Sequence, residues 1–229
     1  NPALVGRAFL QAAFPAAITS WTPAFFSGRF TTFIPSTLAL PFLKPASLTE
    51  FVRETAVDGF SGATPLSLFK FQNVPTDTFK LFTGMISGSA GETCSLLILI
   101  CGAYLAIRKM MDWRITAAVL ISVFVLSSAF YFSDTQKYPS PFFMLFSGGL
   151  MLGAVFMATD MVTSPTTPLG VWIFGAAIGV LTVIIRLKGG LPEGVMYAIL
   201  IANAFVPLIE NATQPRVYGT IKKKETKAA

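Results

Sequence analysis

The eight residues Asp58-Gly59-Phe60-Ser61-Gly62-Ala63-Thr64-Pro65 set an acid at one end of a small-residue turn and a threonine hydroxyl at the other. Gly59 and Gly62 permit positive φ, and Pro65 pushes Thr64 toward an extended backbone. The Thr64 hydroxyl is therefore expected to point outward from a tight, exposed bend. A surface turn without chemistry is the plainer reading of the same residues. Three acids suggest a second chemistry. Glu92 closes the glycine-rich stretch from Phe82, Asp160 precedes a run of hydroxyls and prolines ending at Pro168, and Glu193 stands in Leu191-Pro192-Glu193-Gly194. A carboxylate at membrane depth is a candidate holder of a cation or proton. Each also has a structural reading: Glu92 in a first helical turn favoured by the helix dipole, Asp160 and Glu193 as helix caps.

Composition narrows the chemistry further. There is no histidine, which removes histidine-based metal sites, catalytic dyads and haem ligation by histidine. No catalytic residue and no metal-ligand set is assigned. Cys94 and Cys101 are seven apart in an apolar run, so they share a helix face. Core packing is their expected use, and two cysteines alone complete no iron–sulfur cluster. The net charge of +6 is no nucleic-acid signal, because Lys222, Lys223, Lys224 and Lys227 crowd the end of the chain as a cytoplasmic tail.

The elements that must position these groups are membrane helices. Of 229 residues, 53% are hydrophobic and 12% charged, where soluble domains are about 25% charged. One soluble core cannot bury that excess, so the chain is expected to be an all-α polytopic membrane protein. The opening Asn1-Pro2-Ala3-Leu4-Val5-Gly6-Arg7 has no initiator Met and no signal-peptide pattern, and reads as the interior of a longer protein. Residues 1–21 are expected to hold one helix; Arg7 in its first turns is a functional hypothesis as an intramembrane charge, with snorkelling from the helix end the preferred reading. Residues 22–89 form a long, proline-broken extracytoplasmic region anchored by many phenylalanines. Residues 90–211 carry five apolar runs: Thr93–Ile107, Trp113–Phe132, Pro141–Ala158, Leu169–Leu187 and Gly194–Ile209. Residues 212–229 are the basic tail.

Orientation follows from basic residues. Arg108, Lys109 and Arg114 mark a cytoplasmic turn, which puts the tail on the same side and Thr64 on the outer face. Arg186 and Lys188 fall on the outer side and oppose this scheme. Asn203 in mid-span and Glu210 after Pro207 are expected to join helices or line an ion path.

The Asp58–Thr64 turn is similar to the acceptor motif of flavin transferases, Asp-x-x-Ser/Thr-Gly-Ala-Thr/Ser. Asn1-Pro2-Ala3, Asp58–Pro65, Gly91-Glu92-Thr93, Phe156-Met157-Ala158-Thr159-Asp160, Pro192-Glu193-Gly194 and Thr213-Gln214-Pro215-Arg216-Val217-Tyr218-Gly219 occur together and in order. In these blocks the chain resembles the D subunits of Rnf-type ion-translocating ferredoxin:NAD oxidoreductases and, more distantly, the B subunits of sodium-pumping quinone reductases. Met161 departs from the pattern, which commonly has Pro after the Asp.

The resemblance implies a urea-transporter-like helical bundle with inverted repeats, in a bacterial or archaeal cytoplasmic membrane. It implies FMN joined through its phosphate to Thr64, with Asp58, Ser61, Gly62 and Ala63 read by the transferase that attaches it. Single electrons would pass between this flavin and other subunits of the complex, coupled to Na⁺ or H⁺ movement, with Glu92, Asp160 and Glu193 as path candidates. A second, non-covalent riboflavin belongs to the quinone-reductase relatives, and no position is assigned to it here. The competing reading is a secondary transporter or channel without flavin.

Overall fold

The structure, a computed structural model, describes residues 1–14 and 64–215 apart from 74, 87, 90, 136 and 191. Asp58, Ser61, Gly62 and Ala63 lie outside the described residues, as do the rest of the 15–63 segment and the lysine-rich tail.

Every described element is helical: α1 (Pro2–Ala13), α2 (Pro65–Gln72), α3 (Thr78–Thr83), α4 (Ser95–Ile107), α5 (Trp113–Ser133), α6 (Pro141–Phe146), α7 (Leu150–Leu152), α8 (Pro168–Lys188) and α9 (Val195–Thr213). Helix α7 continues into a wider π turn over Gly153–Met157. Four of these helices start the same way. Asn1, Thr64, Ser140 and Thr167 each precede a proline, and each side-chain oxygen accepts a bond from an amide three residues on. Proline fixes the first helical φ and lacks the amide that would go unpaired, while the polar side chain satisfies a first-turn N–H.

Helices α5, α8 and α9 are long and apolar enough to cross a membrane. Their 19 to 21 residues correspond to about 30 Å of helix, the thickness of a bilayer core. The expected boundaries of all three are within a few residues of those observed. Helix α4 has 13 residues, or about 20 Å, and is short for a span. The run Pro141–Ala158, expected as one span, is divided. Helix α6 stops at Phe146, Gly148 turns the chain at φ +64°, and helix resumes at Leu150.

The core lies where α5 crosses α8. Val119, Val123, Phe174 and Ile178 are fully buried there. Gly175 and Gly179 allow the approach: a Cβ on Gly175 would lie 2.6 Å from the Ala118 Cβ, and one on Gly179 would overlap the Ser122 hydroxyl. Small residues one turn apart let membrane helices gain dispersion contacts where no hydrophobic force separates helix from lipid. Helix α9 covers the other side of α8 with Ala198, Ile199 and Ala202, and Leu4 of α1 joins the same cluster. Helices α2 and α3 dock on the broken span through Leu66, Leu81 and Phe143.

Candidate functional site

Thr64 ends the undescribed segment and begins α2. Its backbone is extended at φ −65°, ψ 149°, as the following proline dictates. The side chain is half-buried, and its Oγ1 accepts a 3.4 Å bond from the Ser67 amide. Thr64 is thus a helix cap, and the bend expected before it lies outside the described residues. The first-turn amides of α2 point toward it, which makes the oxygen a place where negative charge is favoured. Along α2, Leu66, Phe69 and Lys70 border a cavity of about 140 Å³ closed by Tyr138, Phe143 and Arg186. Lys70 donates to the carbonyls of Arg186 and Gly189 and so ties α2 to the end of α8. Burial lowers the Lys70 pKa from its ordinary 10.5.

The second assembly surrounds the break between α6 and α7. A broken helix leaves carbonyls without intrahelical partners, and at membrane depth something in the protein must bond them. Arg186 does so: Nη1 donates to the Met144 carbonyl at 2.6 Å and Nη2 to the Ser147 carbonyl at 2.9 Å. Its side chain is only 4% exposed. Glu193 reaches the break from the start of α9, where Oε1 accepts from the Gly149 amide at 2.6 Å. Glu92 approaches the same point from the stretch before α4. Its Oε1 accepts from the Ser89 amide at 3.2 Å, and its Oε2 lies 3.7 Å from the Arg7 guanidinium of α1. Both carboxylates converge on Gly149, since a Cβ there would sit 2.5 Å from Glu193 Oε1 and 2.9 Å from Glu92 Oε2.

Helix α1 brings Arg7 into range by packing against α9. The Asn1 amide donates to the Met157 carbonyl, and six residues later Arg7 shares a small cavity with Gly149 and Glu193. The π turn has its own tie, with the Thr116 hydroxyl donating to the Ala154 carbonyl at 2.9 Å.

Several expectations change on this geometry. Glu92 is not in a first helical turn, because α4 begins at Ser95 behind Cys94; it is buried and faces Gly149. Glu193 does not cap α9, which has no side-chain cap. Arg7 does not snorkel but pairs with Glu92. Asp160 stands apart from the two glutamates in its bonding. Its carboxylate accepts from the Val162 amide and the Thr163 hydroxyl, holding the turn after α7. Glu210 joins α9 to the turn before α8 by accepting from the amide and hydroxyl of Thr166, each at 2.9 Å. Asn203 has both amide atoms buried and unbonded among the described residues. Cys101 is exposed and Cys94 half-exposed, so neither is a core residue here.

Arg186 and Gly149 are not among the site residues expected from sequence, and for Arg7 snorkelling is preferred there to a functional role. A basic residue inside or beside an apolar run is the only sequence signal for the two arginines, and for Gly149 there is none.

A family model described as the NQR2, RnfD, RnfE family matches residues 1–219. The chain is 40% identical over 227 residues to the D subunit of the ion-translocating oxidoreductase complex of Yersinia pseudotuberculosis serotype O:1b (strain IP 31758), covering 96% of this chain and 64% of that protein. It is 38% identical over 230 residues to the D subunit of the proton-translocating ferredoxin:NAD(+) oxidoreductase complex of Clostridium ljungdahlii, covering 96% and 61%. Against the D subunit of the ion-translocating oxidoreductase complex of Pectobacterium carotovorum the identity is 37% over 227 residues, covering 96% and 65%. The chain thus spans a little under two thirds of the length of these relatives.

Proposed function

The chain belongs to the NQR2, RnfD, RnfE family, and from that premise we propose that it acts as the membrane subunit of a redox-driven ion-translocating complex of the ferredoxin:NAD oxidoreductase type. In this reading it carries FMN as a phosphoester of Thr64, attached by a separate transferase. The other subunits of the complex are its electron partners, and the lipid bilayer is its solvent. The observation that carries the reading is the position of Thr64 as the cap of α2.

The residues present suit such a group. The hydroxyl oxygen accepts one long hydrogen bond, so exchanging its proton for a phosphoryl group sacrifices no donated bond described for it. The positive end of α2 favours the resulting phosphodiester charge. Phe69, Tyr138 and Phe143 with Lys70 give the adjoining cavity the aromatic and cationic lining that suits a flavin ring. When bound, FMN supplies one-electron chemistry, while the protein sets its position and surrounding charge. Glu92 and Glu193 at the helix break are the proposed ion-path carboxylates, and Asp160 serves as a turn former.

We orient Thr64 toward the outside and the basic tail toward the cytoplasm. Arg186 does not oppose this orientation, because it is buried and bonded to the helix break and is no loop charge of the kind that sets topology. Lys188 is exposed and still opposes it.

The test is co-expression with a flavin transferase, followed by in-gel fluorescence after denaturation and by intact mass. A fluorescent band carrying one FMN, lost in Thr64→Val while the protein stays in the membrane, is expected. Equal flavin in the variant, or none in the wild type, removes the flavin reading. The second reading, a transporter or channel without flavin, draws on the broken helix and its buried charges, and it predicts the colourless outcome.

A further inference from the structure

We propose that flavin is attached to Thr64 while α2 stands away from the bundle, and that Lys70 is the latch that closes α2 afterwards. This rests on the FMN reading of Thr64 and adds to it the state of the chain on which the transferase acts.

Three observations point to a helix that opens. The docked site is shut on one side, because Pro65 is buried and Leu66 is only 6% exposed. A transferase must bring the reacting phosphorus within about 3.5 Å of the Thr64 oxygen, in line with the breaking bond. An enzyme closing over that oxygen meets the residues that cover Pro65 and Leu66. Helix α2 is also short. It has eight residues, where a helix alone in water needs about 12 to 15. Its helicity therefore depends on its docking, so undocking and unwinding are one event, and that event frees the Thr64 oxygen from the Ser67 amide. Finally, the docking is separable from the core. Leu66, Leu81 and Phe143 form a buried cluster of their own, to which Phe69 adds a ring contact with Phe143 at 5.4 Å. The core residues where α5 crosses α8 belong to a different cluster. A segment held by such satellite contacts opens locally while the rest stays folded.

Lys70 supplies the polar hold. It donates to the Arg186 carbonyl at 3.0 Å and to the Gly189 carbonyl, at a helix end whose partial negative charge favours a cation. With the latch open, the Thr64 oxygen displaces a nucleoside monophosphate from the pyrophosphate of a flavin dinucleotide. One P–O bond breaks, the Oγ1–P bond forms, the hydroxyl proton passes to a base of the transferase, and no electrons change hands. The phosphodiester then places negative charge at the N-terminus of α2, where the helix dipole favours it. Loading thus favours the closed state. The helix opens to receive flavin and closes to use it.

The full chain, made without transferase and purified in detergent, gives two readouts. One is hydrogen exchange of the α2 amides by mass spectrometry. The other is the initial rate of flavin attachment by purified transferase supplied with a flavin dinucleotide. In Lys70→Gln and in Leu66→Ala both are expected to rise about tenfold, the scale of one charge-assisted bond or one buried side chain lost from the docked state. Gly179→Ala, which strains the core away from α2, should change neither. Exchange or attachment in Lys70→Gln equal to wild type overturns the proposal. So does an equal rise in Gly179→Ala, since general unfolding would then be the cause. Should Lys70→Gln not fold, Leu66→Ala makes the same comparison. Flavin on no variant removes the Thr64 reading and this proposal with it, whereas flavin at one rate on all of them removes the latch alone.

Discussion

The Arg186 guanidinium donates to the Ser147 carbonyl at 2.9 Å across 39 residues of sequence, with a second bond to Met144 at 2.6 Å. This pairing makes a broken helix tolerable inside an apolar bundle, since the freed carbonyls face an arginine and not lipid. Arg186→Gln is expected to lower stability by about 3 kcal/mol, the scale of charge-assisted bonds lost from a buried site. Unfolding in mixed micelles titrated with SDS measures it. Arg186→Lys should recover part of the loss, because one ammonium cannot reproduce the fork. A loss below about 0.5 kcal/mol, the scale of an ordinary surface substitution, would show that the break is held by something else.

The crossing of α5 and α8 depends on Gly179 lying against the Ser122 hydroxyl and 2.8 Å, measured from a notional Cβ, from the Val119 carbonyl. Gly179→Ala should force the helices apart at a cost of about 1–3 kcal/mol. Adding Ser122→Ala relieves only the side-chain part of the clash. The double variant should therefore lie between wild type and Gly179→Ala, with a coupling of about 1 kcal/mol. Strictly additive losses would mean that the two residues do not meet.

Lys70 gives a pH prediction with a definite sign. Burial holds its pKa below 10.5 in the folded chain, so between the lowered value and 10.5 the unfolded chain binds more protons. Stability therefore rises with pH across that window. Measured as the difference in unfolding midpoint between wild type and Lys70→Met, the wild type should gain on the variant as the pH rises toward 10.5. A difference that stays level or shrinks contradicts the burial.

The three long helices are legible in the sequence because their signal is additive. Trp113–Ser133, Pro168–Lys188 and Val195–Thr213 are unbroken apolar runs, and the bilayer sets their length. The break at Ser147–Gly149 is not legible, because Phe146 and Leu150 flank it within one continuous apolar run. Glycines are also common in unbroken membrane helices. Glu92 and Glu193 are legible as acids out of place. Their meeting is not, since it is set by how α1, α8 and α9 close around Gly149, and Arg7 reaches Glu92 from the far end of the described chain. Arg186 reads as a loop charge for a similar reason: its carbonyl partners are exposed by a break that the sequence does not announce.

The arginine that closes the break is made late. Met144 and Ser147 leave the ribosome well before Arg186, so the nascent chain passes through an interval in which these carbonyls have no partner inside the membrane. A truncation anywhere between Leu150 and Ile185 would freeze that interval. Such products would hold the apolar helices α4 and α5 and still be unable to rest in lipid, which marks them for the quality-control proteases of the membrane. Release from that surveillance would then coincide with the emergence of α8, so that a later helix would decide whether the earlier ones are kept.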